Sequence, residues 1–431
     1  MIDDTPQSAW TDTAEEPTPQ TPPLEDTVRT DVVIIGAGFT GLSAALHLAE
    51  AGVGVAVLEA ATPGFGASGR NGGQVIPGLK HDPRQIEALF GPDKGPKIAD
   101  FVGRTADVVF ALIDHHAIAC TPYRAGWVQG VHAKAALPAV EARLADWQAR
   151  GAPVTLLNRD EMQARTGAQG YVAGLFDQRG GTLNPLAFAR GLARAALSAG
   201  AQIFGTSPAI NLVRQGPAYR ISAPKGAVTA ERVLLATNGY TDDLWPGLKT
   251  AIVPFHSYQI ATEPLGNNLG GMLMPDGLGL SDTRRLLTYA RQDARGRLIV
   301  GGRGRPRESD AVTDYRHVVD ALRRVFPDAG DLSIERVWGG KVALTADHLP
   351  HIAELAPGLV AALGYNGRGV AMATATGQAL ARYLSDIIPL EDLPLPSRPI
   401  RQIPLHGLRQ PVLNALVGVK RLQDWWEARN G

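Results

Sequence analysis

Hydrophobic positions first gather at Val32, Val33, Ile34 and Ile35, a continuous apolar run of the kind a parallel strand needs when both its faces are covered. Leu42, Ala45, Leu46 and Ala49 then recur at helical spacing, and Gly52 falls where that helix would end. Val53, Val55 and Val57 lead into a second strand closing at Glu59, so the segment predicts β-α-β. Between about 83 and 150 the spacing is helical, carried by Leu112 and Ile113 and later by Val140, Leu144 and Trp147. Asn184 and Pro185 form an N-cap and first-turn pair for a helix through Ser198, stopped by Gly200, with a short strand at 201–204 behind it. Residues 209–236 predict a β-meander turning at 215–217 and 224–226, its last strand at 232–236. Antiparallel strands are expected at 252–262, 286–291 and 297–302, and a strand at 359–363 runs into a glycine turn and a helix through Leu384.

The two ends differ from this body. Residues 1–28 hold five prolines and seven acidic side chains with no Lys or Arg, which predicts a disordered N-terminal arm, with anchoring through Trp10 as the lesser alternative. The last segment carries Val412, Leu416, Val419, Leu422, Trp425 and Trp426 at amphipathic spacing without a Lys-rich polar face. It is therefore expected to dock on the body or on a partner subunit rather than on a membrane.

A chain of 431 residues exceeds one typical domain, so two interleaved domains are expected. The 42 basic and 42 acidic side chains balance, which points to no nucleic acid and no anionic membrane as bulk electrostatic partner. The single cysteine, Cys120, excludes an intrachain disulfide, a Cys-ligated iron–sulfur cluster and a multi-Cys zinc site, and fits a cytoplasmic location. The apolar stretch 32–58 is broken by Gly36, Gly38 and Gly41, so it reads as buried core and no transmembrane segment is expected.

Those glycines carry the first chemistry. Gly36, Gly38, Phe39, Thr40 and Gly41 lie between the predicted strand and helix, where a tight turn lets backbone N–H groups and the positive helix end face a pyrophosphate. Glu59, followed by Ala60, ends the second strand, where its carboxylate can accept from ribose hydroxyls and repel a 2′-phosphate. A dinucleotide with a free ribose follows. FAD and NAD share this fingerprint, and the next segment decides between them. Five glycines from Gly64 to Gly73 with Ser68, Arg70, Asn71 and Gln74 make a loop able to lie flat along an extended ligand, as FAD requires beside its flavin end.

The run 66–74, Gly-Ala-Ser-Gly-Arg-Asn-Gly-Gly-Gln, resembles the flavin loop of gamma-glutamylputrescine oxidases, within the D-amino-acid oxidase-like (DAO) family of FAD-dependent oxidoreductases. The likeness extends to 236–240 with Thr237, Asn238 and Gly239, to the Trp338-Gly339-Gly340 segment with Thr345 and Asp347, and to 364–370 with Gly367, Gly369 and Val370. It implies an α/β fold with an α+β second domain: a Rossmann-like FAD-binding domain (29–82, 151–250 and 336–388), an interleaved antiparallel-sheet substrate domain (83–150 and 251–335) and a C-terminal extension (389–431). In the family the helix start near Gly367 and Gly369 lies by the flavin pyrimidine, where its partial positive charge stabilises reduced flavin. Covalent attachment in some relatives uses a Cys or His. The loop 68–74 has no His and 341–345 no Cys, so non-covalent FAD is expected. Other relatives place a Lys near the flavin for reaction with oxygen, and the matching strand 297–302 has none, which leaves O2 or another electron acceptor open.

The resemblance implies oxidation of an amine or amino acid at the C–N bond, by hydride transfer to flavin N5 and hydrolysis of the imine, with a gamma-glutamylputrescine-like substrate favoured. Two alternatives keep the fold: a dehydrogenase for sarcosine, glycine or a D-amino acid that passes electrons to a protein or quinone, and a non-catalytic flavoprotein that binds a partner. Candidate catalytic residues on the second-domain strands are His256, Tyr258 and Tyr289, with Arg291, Arg303 or Arg305 as clamps for a substrate carboxylate. Strand side chains alternate faces, and the sequence does not fix which face looks at the ligand. His348 and His351, with Pro350 between them and no third ligand, predict no metal site. Oligomeric state is not legible.

Overall fold

The computed structural model describes residues 8–304, 309 and 311–430. Strand Thr27–Ile35 forms where the apolar run was expected, and its buried half, Val32 to Ile35, pairs in parallel with Val55–Leu58 on one side and with Ala227–Leu235 on the other. The parallel strands continue outward to Gln202–Phe204 and to Leu359–Leu363, and His351–Ala356 closes one edge antiparallel. From Thr27–Ile35 the chain winds first toward Gln202–Phe204, then returns to Ala227–Leu235 on the opposite side. Such a reversal leaves a crevice beyond the carboxyl ends of the two central strands, the usual ligand position in an open parallel sheet. Helices Pro185–Ser198 and Gly369–Leu384 both pack against helix Phe39–Glu50 beside this sheet. The Ser43 hydroxyl donates to the Thr374 carbonyl at 2.8 Å, and Phe39 meets Phe188 with ring centres 5.3 Å apart.

The second sheet has eight strands in the order Ile334–Leu344, Val253–Pro264, Arg297–Arg303, Thr288–Gln292, Gly279–Asp282, Trp127–Val131, Ala173–Asp177 and Val154–Asn158. It is antiparallel except where Gly279–Asp282 runs parallel to Trp127–Val131. This corrects the expected division of the chain. Val154–Asn158 and Ala173–Asp177, placed by sequence in the first domain, pair with Trp127–Val131 in the second sheet, and Ile334–Leu344 belongs there along most of its length. Trp127–Val131 itself interrupts the stretch read as helical. Short apolar strands carry no mark of their partner; that choice is made by contacts distant in sequence.

The N-terminal arm is also corrected over residues 8–28. Trp10 is fully buried, Asp12 pairs with Arg297 at 3.0 Å and Glu16 with Arg194 at 2.8 Å. The acidic side chains that argued for solvation are in part neutralised by partners on the body. At the other end, helix Arg409–Asn430 docks through Asp424 and Glu427, which both take hydrogen bonds from Arg285. Val419, Leu422 and Trp426 remain exposed, while the side chains of 412, 416 and 425 lie outside the described residues. Among the described residues no helix is long and apolar enough to cross a membrane.

Candidate active site

A cavity of about 1210 Å³ opens at the crevice and runs between the two sheets. It is larger than the roughly 300–1,000 Å³ of most small-molecule sites, which suits an extended cofactor plus a second ligand. Its floor is the glycine turn. Gly36 has φ +105°, and a Cβ there would stand 3.0 Å from the Ala236 carbonyl of the neighbouring strand. Gly41 does not line the cavity; a Cβ there would meet the Gly36 carbonyl at 2.0 Å, so its role is to let helix Phe39–Glu50 start against the strand. Gly36, Gly38, Phe39 and Thr40 do line it, and the N-terminus of that helix faces inward.

Glu59 stands at the far side of the turn. Its Oε2 accepts from the Ala37 N–H at 2.8 Å and its Oε1 from the Ala61 N–H at 3.0 Å, which fixes the carboxylate and leaves a lone pair on each oxygen for a diol. Burial outweighs these bonds and holds its pKa above the usual carboxylate value. Glu59 and Ala60 both face the cavity. This geometry fits the ribose of a dinucleotide.

The loop 66–74 forms one wall. Ser68 Oγ accepts from the Phe39 N–H at 3.0 Å, joining loop to glycine turn. Much of the loop's polarity serves the loop itself. Asn71 Oδ1 accepts from Gly73 N–H, Arg70 Nε donates to the Phe65 carbonyl, and Gln74 Nε2 donates to the Leu280 and Ala290 carbonyls of the second sheet. The Arg70 carbonyl accepts from Trp338 Nε1 and Gln259 Nε2. Ser68, Arg70, Asn71, Gly72 and Gln74 line the cavity, whereas Gly73 (φ +67°) lies behind it against the Leu183 carbonyl. Further round, Thr237 and Asn238 line the cavity and Gly239 packs against Lys341. Asn238 Oδ1 accepts from Gly364 N–H at 2.8 Å, coupling two sheet ends. Gly367, Gly369 and Val370 face inward at the start of helix Gly369–Leu384, so a second helix N-terminus points at the same space.

The second sheet roofs the cavity, and its register sorts the expected catalytic residues. Along Val253–Pro264 the cavity-facing positions are Phe255, Ser257 and Gln259. His256 and Tyr258 therefore face the opposite side, where Tyr258 is fully buried and stacks on Tyr315 with ring centres 4.3 Å apart; neither is a contact for a ligand. Tyr289 does face the cavity, its hydroxyl 2.9 Å from Ser257 Oγ, and burial raises its pKa. Arg291 is withdrawn as a clamp. Its guanidinium is buried behind the wall, donating to the Gly73 and Leu183 carbonyls and lying over Trp10. Arg303 lines the cavity above the Phe255 ring, and Arg305 lies outside the described residues.

Sequence reasoning missed several wall residues: Lys80, Gln129, Arg143, Arg284, Lys341 and Arg368. Arg368 sat inside a run already singled out for its glycines, and Lys80 follows the loop 66–74 by a few residues. What marks them is the cavity they share, which no local pattern reveals. Cys120 is buried away from the cavity, and burial pushes its thiol up to about 12. His348 lines the cavity, and His351 is paired with Asp347 at 2.9 Å.

The chain matches the model of the FAD-dependent oxidoreductase (DAO) family over residues 31–383. It is 34% identical over 379 residues to a probable oxidoreductase, OrdL, of Haemophilus influenzae, covering 84% of each chain. It is 32% identical over 363 residues to gamma-glutamylputrescine oxidoreductase of Escherichia coli, covering 84% of this chain and 85% of the relative. Among solved structures, glycine oxidase from Geobacillus kaustophilus superposes with a TM-score of 0.71 at 19% identity, over 83% of this chain and 95% of that one. L-Proline dehydrogenase from P. horikoshii superposes with a TM-score of 0.70 at 20% identity, over 85% and 96%. With this match along most of the chain, and a glycine turn, the Glu59 carboxylate and two helix N-termini around one cavity, the protein belongs to the DAO family of FAD-dependent oxidoreductases.

Proposed function

We propose that the protein oxidises the C–H bond next to the nitrogen of an amine or amino acid, and that an N-acylated diamine of the gamma-glutamylputrescine type is the favoured substrate. The observation that carries this is the match to gamma-glutamylputrescine oxidoreductase along most of both chains. The cavity supports it by continuing past the cofactor cradle to a second wall bearing Tyr289, Ser257 and Arg303. The turn at 36–40 would hold the pyrophosphate of a non-covalent FAD, Glu59 a ribose and the loop 66–74 its flavin end, and the cofactor would supply the two-electron acceptor. The protein's part is to orient the C–H bond, exclude water during transfer and hold the amine unprotonated; the imine product then hydrolyses in water. The hydroxyl pair of Tyr289 and Ser257 replaces His256 and Tyr258 as the polar group placed to orient the amine.

A second reading keeps the chemistry and changes the acceptor. Val419, Leu422 and Trp426 form an exposed apolar stripe on the C-terminal helix, which favours docking of an electron-accepting protein over direct use of oxygen. Anaerobic reduction by amines followed by admission of air tests both readings: fast return of the oxidised spectrum supports an oxidase, slow return a dehydrogenase.

A further inference from the structure

Lys420 lines the cavity, although the helix that carries it belongs to neither sheet and lies beyond residue 383, where the family match ends. Lys420, Asp424 and Glu427 stand at i, i+4 and i+7 and so share one face of helix Arg409–Asn430. That face meets the turn 283–287 between strands Gly279–Asp282 and Thr288–Gln292, which itself lines the cavity through Thr283, Arg284, Arg285 and Leu287. Asp424 accepts from the Arg285 and Leu286 N–H groups, each at 3.1 Å, and Glu427 accepts from both Arg285 Nη atoms at 2.7 and 2.8 Å. His132, its Nδ1 2.7 Å from Thr283 Oγ1, brings Nε2 to 3.4 Å from Glu427.

The other face carries Val419, Leu422 and Trp426, all exposed. A helix docked by hydrophobic burial turns its apolar stripe inward. Here, among the described residues, the polar face is the inner one, and the Arg285 side chain that grips it is 34% exposed. An element held by partly exposed ion pairs opens at low cost. Its near end is fixed: His406 Nε2 lies 2.8 Å from the Ile252 carbonyl and the Ile403 N–H donates to the Thr250 carbonyl at 2.9 Å, beside the start of strand Val253–Pro264. The helix thus runs between two anchors on the second sheet, with Lys420 facing the cavity between them.

We propose that helix Arg409–Asn430 is a gate on the substrate side of the cavity, latched by Arg285 to Asp424 and Glu427, and that the closed gate limits the bulk of the amine that enters. This rests on the amine-oxidation reading for what enters, and adds the element that selects it by size. The chain at 403–408 stays in place as the hinge, and the far end of the helix moves. No covalent bond is made or broken.

The test compares the native holoenzyme with the full-length double variant Asp424→Asn/Glu427→Gln in two measurements that need no amine: quenching of flavin fluorescence by acrylamide, a neutral probe, and the rate of trypsin cleavage after Lys420. Both are expected to rise about fivefold, the worth of a partly exposed ion pair. Arg285→Lys keeps the charge without the planar fork and is expected to fall between native and double variant. With amines, the ratio of kcat/KM for a bulky N-acylputrescine to that for putrescine should rise by a similar factor of about five in the double variant. Faster cleavage with quenching at the native level would overturn the gate, since the helix would then open without uncovering the cavity. Cleavage at the native rate would overturn the latch, and an unchanged kcat/KM ratio with quenching raised would overturn selection by size. Where the double variant does not retain FAD, Asp424→Asn and Glu427→Gln singly carry the same comparison. Failure of every amine to reduce the flavin would sink the amine reading alone, because quenching and cleavage are measured without amine.

Discussion

The Trp10 indole N–H donates a 2.8 Å hydrogen bond to the Asn71 carbonyl, tying the N-terminal segment to the loop that walls the cavity. The same indole packs edge-on against Trp338 and lies beneath Arg291, while the backbone carbonyl of Trp10 accepts from Asn184 Nδ2. Four separate parts of the chain therefore meet at one residue. Trp10→Ala is expected to cost about 3–5 kcal/mol, the range for a buried aromatic cut to alanine, and to loosen the loop 66–74. Thermal unfolding should show a lower midpoint, and repeated dialysis should strip FAD faster than from the native protein. A variant that keeps both would show that the segment is only an adornment of the surface.

Glu59 is fixed by two backbone N–H donors, so a substitution as small as Glu59→Gln turns one acceptor into an NH2 group facing an N–H. Loss of one bond to a charged acceptor is worth about 1.5–3 kcal/mol, so FAD affinity is expected to fall roughly 10- to 100-fold. Titration of apoprotein with FAD by fluorescence quenching measures it; unchanged affinity would remove Glu59 from the ribose site.

The face a strand residue presents decides what its loss does. Tyr289→Phe removes the hydroxyl 2.9 Å from Ser257 Oγ and is expected to lower kcat/KM about 3- to 10-fold, the worth of one neutral hydrogen bond. Tyr258→Leu disrupts the stacking on Tyr315 and should lower the thermal midpoint while leaving the half-saturating amine concentration within about twofold. The reverse pattern would mean that the strand's register is shifted by one.

Much of this site was legible in the sequence because its parts are local. The glycine turn, Glu59 and the loop 66–74 each lie within a few residues of a strand end, and turn chemistry is written in short runs. Three things were not. His256 and Tyr258 could not be told from Phe255 and Ser257 until one side of the strand was fixed, since a period of two has no absolute phase. Strands 154–158 and 173–177 were assigned to the wrong sheet because strand pairing is settled by distant partners. Trp10 was outweighed by the prolines and acidic residues around it, whose charges turn out to be matched by Arg194 and Arg297.

The central claim is amine oxidation, and the most direct measurement is an anaerobic stopped-flow spectrum of the FAD-loaded protein mixed in turn with gamma-glutamylputrescine, putrescine, sarcosine and a D-amino acid. Bleaching of the oxidised flavin band is expected with gamma-glutamylputrescine at a lower concentration and a faster rate than with the others. A flavin spectrum left unchanged by all four would contradict it.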